Sequence, residues 1–326
     1  MDRDLQQWTA AAVETVAPGT TIEGWQALAV EASQRRFYRL QLADGHSLVA
    51  MRSPPDLENN AQFEALARVF GGAGVAVPEV LAVDRERGFF VMTDLGTLHL
   101  ADVYRRDGVD PVMPAALDTL HRLQQVNSPE IPPYTRQRFA DELDIYVAWC
   151  LEALLERRPD GALDQTFTAL LAATDRQPRC CVHRDYHGRN LLSLADGRVG
   201  VVDFQDALMG PATYDLASLL RDCYHRFSEA EVARWRDAYL HATPLDVDPG
   251  GFARDLDFVA LQRQLKAVGI FARLHLRDGR DSHLPHIVPV LERIAELAAT
   301  YPELDALARH AADVLPAARR RVGVAV

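Results

Sequence analysis

The chain has 326 residues, 48% hydrophobic and 25% charged, with a formal net charge of −11; this suits a globular protein of one large domain or, the favoured division, two lobes. The excess of carboxylates argues against nucleic-acid binding, because neutralising phosphate needs a basic face and the arginines here are scattered. Four cysteines without paired spacing fit reduced thiols rather than a disulfide framework, and the N-terminus lacks the basic start and apolar core of a signal peptide, so a cytoplasmic protein without membrane association is expected.

Residues 2–16 have the spacing of a short amphipathic helix. The segments IEGWQALAVEA, QRRFYRLQLA and HSLVAMR then run as strands, with Asp44-Gly45 as the hairpin signal between the last two. LENNAQFEALARVFGG is helical, with Leu57, Phe63, Leu66 and Phe70 on one face and Gly71-Gly72 as its stop. PEVLAVD and GFFVMTD supply two further strands. Residues 1–96 are therefore expected to form a five-stranded antiparallel sheet with one inserted helix. Residues 97–326 form a larger, mainly helical lobe, and the whole is an α+β, two-lobed, protein-kinase-like fold. Within the second lobe RCCVH and GRVGVVDF interrupt the helices as short strands. Lys266 is the only lysine, so nearly every cation is an arginine.

Between those two strands lies HRDYHGRN, in which His183, Asp185 and Asn190 are spaced H-x-D-x-x-x-x-N. Asp203 follows at the end of an apolar strand, in D-F. Phosphoryl transfer needs a carboxylate to accept the proton of the acceptor hydroxyl and oxygen ligands for magnesium on a triphosphate. Asp185 supplies the first; Asn190 and Asp203 supply the second. The order of strand, loop, hairpin and strand is specific to that chemistry. His183 orients the loop, and His187 is a loop residue or an active-site neighbour; a zinc pair would need a helix that Gly188 disfavours.

HRDYHGRNLL, VVDFQDALMGPATYDLASLLRDCY and LQRQLKAVGIFARLHLRDGR resemble the aminoglycoside phosphotransferase-related small-molecule kinases, and most closely the anomeric N-acetylmuramate/N-acetylglucosamine kinases of bacterial cell-wall recycling. The resemblance spans nearly the whole chain. It implies ATP-dependent phosphorylation of the C1 hydroxyl of an amino sugar, with ATP and Mg2+ bound, and a product consumed by a uridylyltransferase. Kinases of another small alcohol (an aminoglycoside, choline or homoserine) and a non-catalytic nucleotide-binding regulator are the alternatives.

Arg52 ends V-A-M-R where a kinase has V-A-x-K, so it either meets the phosphates or is a solvated strand end, with Glu64 as its candidate partner. Ser33 and Gln34 lie in the turn expected over the phosphates, as in the family's Ser-rich version. Backbone near Met92 and Asp94 is expected to read adenine, Met92 being otherwise a buried strand residue. Asp215 is a helix cap or, as in the family, holds the catalytic loop from behind. Asp206 is a second metal ligand, a sugar contact or a cap. The short path from Asp203 to PATYDL disfavours a peptide acceptor. Arg221, Asp222, Tyr224, Gln262, Arg263 and Arg273 are the acceptor candidates, an arginine clamp suiting a lactyl carboxylate.

Overall fold

The computed structural model describes residues 2–28, 34–159, 161–243 and 247–323. In chain order its elements are α1 (Arg3–Val16), β1 (Ile22–Ala27), β2 (Arg36–Leu42), β3 (Ser47–Arg52), α2 (Asn60–Gly72), β4 (Val80–Asp84), β5 (Phe89–Thr93), α3 (Leu100–Asp107), α4 (Met113–Gln124), α5 (Arg136–Ile145), a π-helical stretch (Tyr146–Leu154), α6 (Ala162–Asp175), β6 (Arg179–Val182), β7 (Leu191–Ser193), β8 (Val199–Val201), β9 (Leu208–Pro211), α7 (Tyr214–Leu220), α8 (Glu229–Ala242), α9 (Pro249–Asp278), α10 (Ile287–Ala298) and α11 (Asp305–Arg321), with 3-10 turns before the last two helices. They form two compact units, one of Met1–Ile131 with Gly188–Ala207, the other of Pro132–His187 with Leu208–Val326.

The first unit is built on an antiparallel sheet of order β1-β2-β3-β5-β4. Because alternate residues of a strand face opposite ways, Leu40, Leu42, Ala50 and Val91 fall on one side, where Val13 and Trp8 of α1 cover them. Phe90 faces the other side and meets Phe63 of α2 edge-on at 5.8 Å. Leu57 does not join that face, as expected of it, but stands before α2 and is 61% exposed. Asn59 is the reason: its side chain caps the helix by accepting from the Gln62 N–H at 3.0 Å, so the helical spacing begins only after it. As expected, α2 ends at Gly71-Gly72, with Ala73 as its C-cap.

The units are not divided at Gly96. The β7–β8 hairpin belongs with the first: the Ser193 N–H donates to the Leu98 carbonyl (2.8 Å) and the Val201 N–H to the Ala76 carbonyl (2.7 Å). These backbone bonds tie it to the segments flanking β4 and α3, a pairing that composition does not reveal.

In the second unit, α9 carries buried residues on all sides, and Phe258, Leu261, Leu265 and Val268 pack with Leu143, Leu151, Leu291 and Ile294 in one core. A Cβ at Gly269 would lie 2.6 Å from the Tyr146 nitrogen and 2.7 Å from the Ile145 carbonyl, so only glycine lets α9 cross there. At that junction the winding changes from α in α5 to π over Tyr146–Leu154.

All four cysteines are free and buried, and burial pushes the Cys150 and Cys223 thiols up to about 12 and those of Cys180 and Cys181 higher still. A thiol so raised carries almost no thiolate at pH 8. The native chain is therefore expected to give no thiol titre with Ellman's reagent over minutes and its full titre of four once denatured. No described helix is long and apolar enough to cross a membrane.

Candidate active site

The polar stretch passes from one unit to the other between His187 and Gly188, and each part is held by its own unit. In the second unit the loop leaves β6 at Val182. Asp215, buried in the first turn of α7, accepts from the backbone N–H groups of His183 (2.5 Å) and Arg184 (2.9 Å). The Asp185 N–H donates to the His183 ring nitrogen Nδ1 at 3.3 Å. Of the two roles expected for Asp215, the side chain takes the backbone-holding one; burial pushes its carboxyl up, against the pull of His183 and the two N–H donors.

Arg184 has φ 81°, a left-handed conformation that costs a non-glycine residue roughly 1–2 kcal/mol. Its side chain accounts for its presence. The guanidinium donates to Glu142 Oε1 of α5 at 2.7 Å and lies 5.3 Å over the Tyr134 ring, while its carbonyl accepts from Arg263 of α9 at 3.0 Å. The buried Glu142 also accepts from Tyr134 Oη (2.5 Å) and Gln262 (3.2 Å) and stands 3.9 Å from Lys266 Nζ. Lys266 in turn donates to Tyr214 Oη at 3.0 Å. One carboxylate thus sits among two buried cations and two hydrogen-bond donors, and the conformation of the residue before Asp185 depends on it.

Asp185 is 44% exposed, with Oδ1 3.6 Å from Arg263. Burial works against its charge, but the Lys266 ammonium, the Arg263 guanidinium and the neighbouring His187 and Arg184 outweigh it and hold the carboxyl well below the usual carboxylate range. The His187 N–H donates to the Asp185 carbonyl (3.1 Å) and its ring meets Tyr224 edge-on at 5.3 Å. Burial keeps His187 low, opposed by Asp222 and Asp185, and its Nδ1 has no hydrogen-bond partner among the described residues. Asp222, also buried, accepts from the Tyr224 N–H at 2.9 Å.

In the first unit, the Gly188 carbonyl accepts from the Ala101 N–H at 2.9 Å, and a Cβ there would lie 2.8 Å from the Tyr104 ring; glycine is needed for that approach. The β7–β8 hairpin returns the chain beside its start, so the Val202 N–H donates to the Asn190 carbonyl (3.0 Å) and the Asn190 side-chain amide lies 3.5 Å from Asp203 Oδ2. Asp203 has φ 64° and its Oδ1 accepts from Gln205 at 2.7 Å. Phe204 anchors the turn, stacked on Phe63 (5.1 Å) and edge-on to Phe70 (5.8 Å). One carboxylate and one amide oxygen suit magnesium, which takes few protein oxygens and completes its shell with water and substrate phosphate.

The sequence pattern of the phosphotransferase enzyme family (APH) matches residues 24–252. The chain belongs to this family. Over 284 residues it is 36% identical to the N-acetylmuramate/N-acetylglucosamine kinase of Pseudomonas aeruginosa, covering 84% of this chain and 83% of that one. The choline/ethanolamine kinase family protein of Mesorhizobium loti superposes with TM-score 0.64 at 19% identity, covering 97% and 99%. A thermostable mutant of aminoglycoside phosphotransferase APH(4)-Ia, in ternary complex with ADP and hygromycin B, gives TM-score 0.61 at 14% identity, covering 91% and 96%. The kinase-like α+β fold and an alcohol-accepting phosphotransferase activity follow.

Several side chains of the phosphotransferase stand elsewhere than expected. Ser33 lies outside the described residues. The Gln34 N–H, expected on phosphate, donates to Glu58 at 3.2 Å. Arg52 does not pair with Glu64; it lies 2.9 Å from Asp2 at the start of α1, and Glu64 takes a two-pronged bond from Arg85 (2.9 and 2.6 Å). Strand alternation is the cause, since Arg52 shares the face of Ala50, which α1 covers. The Asp94 carboxylate accepts from Arg39 (2.5 and 3.0 Å), Ser47 (2.8 Å) and the Gly96 N–H (2.9 Å), so it fixes the end of β5; Met92 is buried in β5. Asp206 is exposed in the turn after Phe204.

Among the acceptor candidates of this phosphotransferase, Arg221 is committed to Asp257 (2.9 and 3.1 Å) and Glu229 (2.5 and 2.9 Å), joining α7, α8 and α9. Gln262 and Arg263 are buried under the catalytic loop. Gln262 and Arg263 are held by protein groups because they lie on a face of α9 turned into the unit, and Arg221 because it directly follows α7, within reach of α8 and α9. Arg273, on α9, is half-buried with Nε unpartnered among the described residues. Sequence reasoning missed Glu142, an acid in an otherwise amphipathic helix; the single lysine was the available signal for the cluster around it.

Proposed function

We propose that the chain is an ATP-dependent amino-sugar kinase that phosphorylates the anomeric hydroxyl of N-acetylmuramate and/or N-acetylglucosamine, acting in the cytoplasm in cell-wall recycling and feeding a sugar-1-phosphate uridylyltransferase. The observation that carries this reading is a half-exposed carboxylate, Asp185, kept ionised on a strapped loop, in a chain whose near-full-length relative bears the name of that kinase. Asp185 accepts a hydrogen bond from the C1 hydroxyl and takes its proton as the oxygen–phosphorus bond forms and the bond from the γ-phosphorus to the bridging oxygen breaks, releasing ADP. A carboxylate held so far toward its ionised form is a weak base, which suffices because a hemiacetal hydroxyl is more acidic than an alcohol and the loose transition state places proton transfer late.

Asn190 and Asp203 would hold magnesium. A magnesium ion held by these two side chains would supply positive charge against the nucleotide phosphates. Asp203→Ala is expected to lower kcat by about 10²-fold or more and to move the magnesium requirement to higher concentration, read by a magnesium titration of ADP release; an unchanged titration removes Asp203 from this role. The reading as a whole is tested by incubating the chain with ATP, magnesium and each amino sugar and locating phosphorus by 31P–1H NMR. A sugar 1-phosphate is expected; phosphate at C6, or none, overturns it.

A further inference from the structure

We propose that the acceptor sugar is recognised in the second unit by a cluster of rings centred on Tyr224, with Asp222 and His187 as its hydrogen-bonding partners, and not by the arginine clamp that the sequence suggests. The assignment rests on the kinase reading above. The Tyr224 ring meets His187 of the catalytic loop at 5.3 Å, His286 at 5.0 Å, and Phe271 of α9 and His283 at 6.0 Å each. Phe271 and His283 are both 4% exposed and stack on one another at 5.2 Å, so they form the floor of the cluster. Tyr224, His187 and His286 are only half-buried. The His187 N–H is bonded to the Asp185 carbonyl, so these partly open rings adjoin the carboxylate to which the acceptor's proton is assigned, and all of them belong to one unit.

Asp222 is 2% exposed, yet of its two oxygens only Oδ1 is bonded among the described residues, to the Tyr224 N–H. His187 Nδ1 likewise has no partner among them. Withdrawing a polar atom from water without a partner is costly, and here two such atoms adjoin the same tyrosine. A sugar answers both: its C–H face lies on an aromatic ring while its hydroxyls donate to a carboxylate and bond an imidazole nitrogen. The segment is also fixed in advance. Arg293 of α10 donates to the carbonyls of Asp222 (2.5 Å) and His225 (3.2 Å), and Gln264 of α9 to that of Arg221 (3.1 Å), which keeps the ordering cost of binding low. The neighbouring arginines are committed elsewhere, Arg221 to Asp257 and Glu229, Arg263 to the Arg184 carbonyl and Arg293 to these two carbonyls.

The test is steady-state kinetics of the full chain and its variants with N-acetylglucosamine and N-acetylmuramate as acceptors, alongside calorimetric titration with Mg·ADP. Asp222→Asn, which keeps the shape and an acceptor for the Tyr224 N–H, is expected to raise the acceptor KM by about 10-fold or more, with Mg·ADP affinity within about 2-fold of wild type. Tyr224→Ala is expected to raise that KM by about 10- to 100-fold, whereas Tyr224→Phe, which keeps the ring, stays within about 3-fold. His286→Ala, at the half-buried edge where the fold is least at risk, is expected to raise it by about 3- to 10-fold, and it decides the matter should Tyr224→Ala fail to fold. An acceptor KM within about 2-fold of wild type in Asp222→Asn and His286→Ala overturns the assignment. So does a parallel loss of Mg·ADP affinity, which would mark a purely structural role. A wild-type chain that phosphorylates neither amino sugar would instead overturn the kinase reading on which the assignment rests.

Discussion

Asp185→Asn is expected to lower kcat by about 10³-fold while leaving Mg·ADP affinity within about 2-fold of wild type. The substitution preserves size and leaves untouched what shapes the loop: Asp215 on two N–H groups, Arg263 on the Arg184 carbonyl and Arg184 on Glu142. What disappears is the negative charge that the proposed reaction assigns to the acceptor's proton. A loss below about 10-fold would mean that Asp185 is not the group that takes the proton. The same variant makes a statement about stability. Because the native carboxyl is held below the usual carboxylate range, its ionised form stabilises the fold at pH values above the unfolded carboxylate pKa, and that contribution is lost as pH falls through the native value. Asp185→Asn is therefore expected to melt below wild type at pH 7, with the two melting temperatures converging as the pH is taken toward 3.

Glu142→Ala is expected to cost about 3–5 kcal/mol of unfolding free energy, measured by chemical denaturation at pH 7, together with most of the turnover. The residue lies far from Asp185 in sequence and carries none of the chemistry. Without it, Arg184 and Lys266 remain largely buried with their shared counter-charge gone, and Arg184 keeps only the Tyr134 ring against the cost of its left-handed backbone. Glu142→Gln keeps the volume but loses the charge. Adding Lys266→Met to it removes one of the stranded cations, so the double variant is expected to regain part of the lost stability without regaining turnover. Burial opposes the Glu142 charge, but Lys266 and Arg184 hold its carboxyl below the usual range; the deficit of the variants is accordingly expected to shrink on acidification. A Glu142→Ala chain within about 1 kcal/mol of wild type would show that the cluster does not support the loop.

The catalytic pattern was legible because it is local. His183, Asp185 and Asn190 lie within eight positions, and the hairpin that returns Asp203 beside Asn190 is written in the short apolar runs on either side. The order of strands and helices was legible for the same reason, since the periods of two and of three to four residues appear within a few turns of chain. Three arginines show where this ends. Arg52 matches a motif position but faces α1, Arg221 resembles a ligand clamp but is held by Asp257 and Glu229, and Arg263 supports the loop from beneath. In a chain with a single lysine, residue type does not separate a binding cation from a structural one.

By itself, then, the amino-acid sequence determined the pattern: which carboxylate and which oxygens are the candidates for phosphoryl transfer, and which elements carry them. Tertiary structure alone decided which charges are spent inside the protein. A buried ion is tolerable only beside its counter-ion, and those counter-ions, Glu142 for Arg184 and Lys266, Asp257 for Arg221, Asp2 for the half-exposed Arg52, come from segments that only strand register and helix packing bring near.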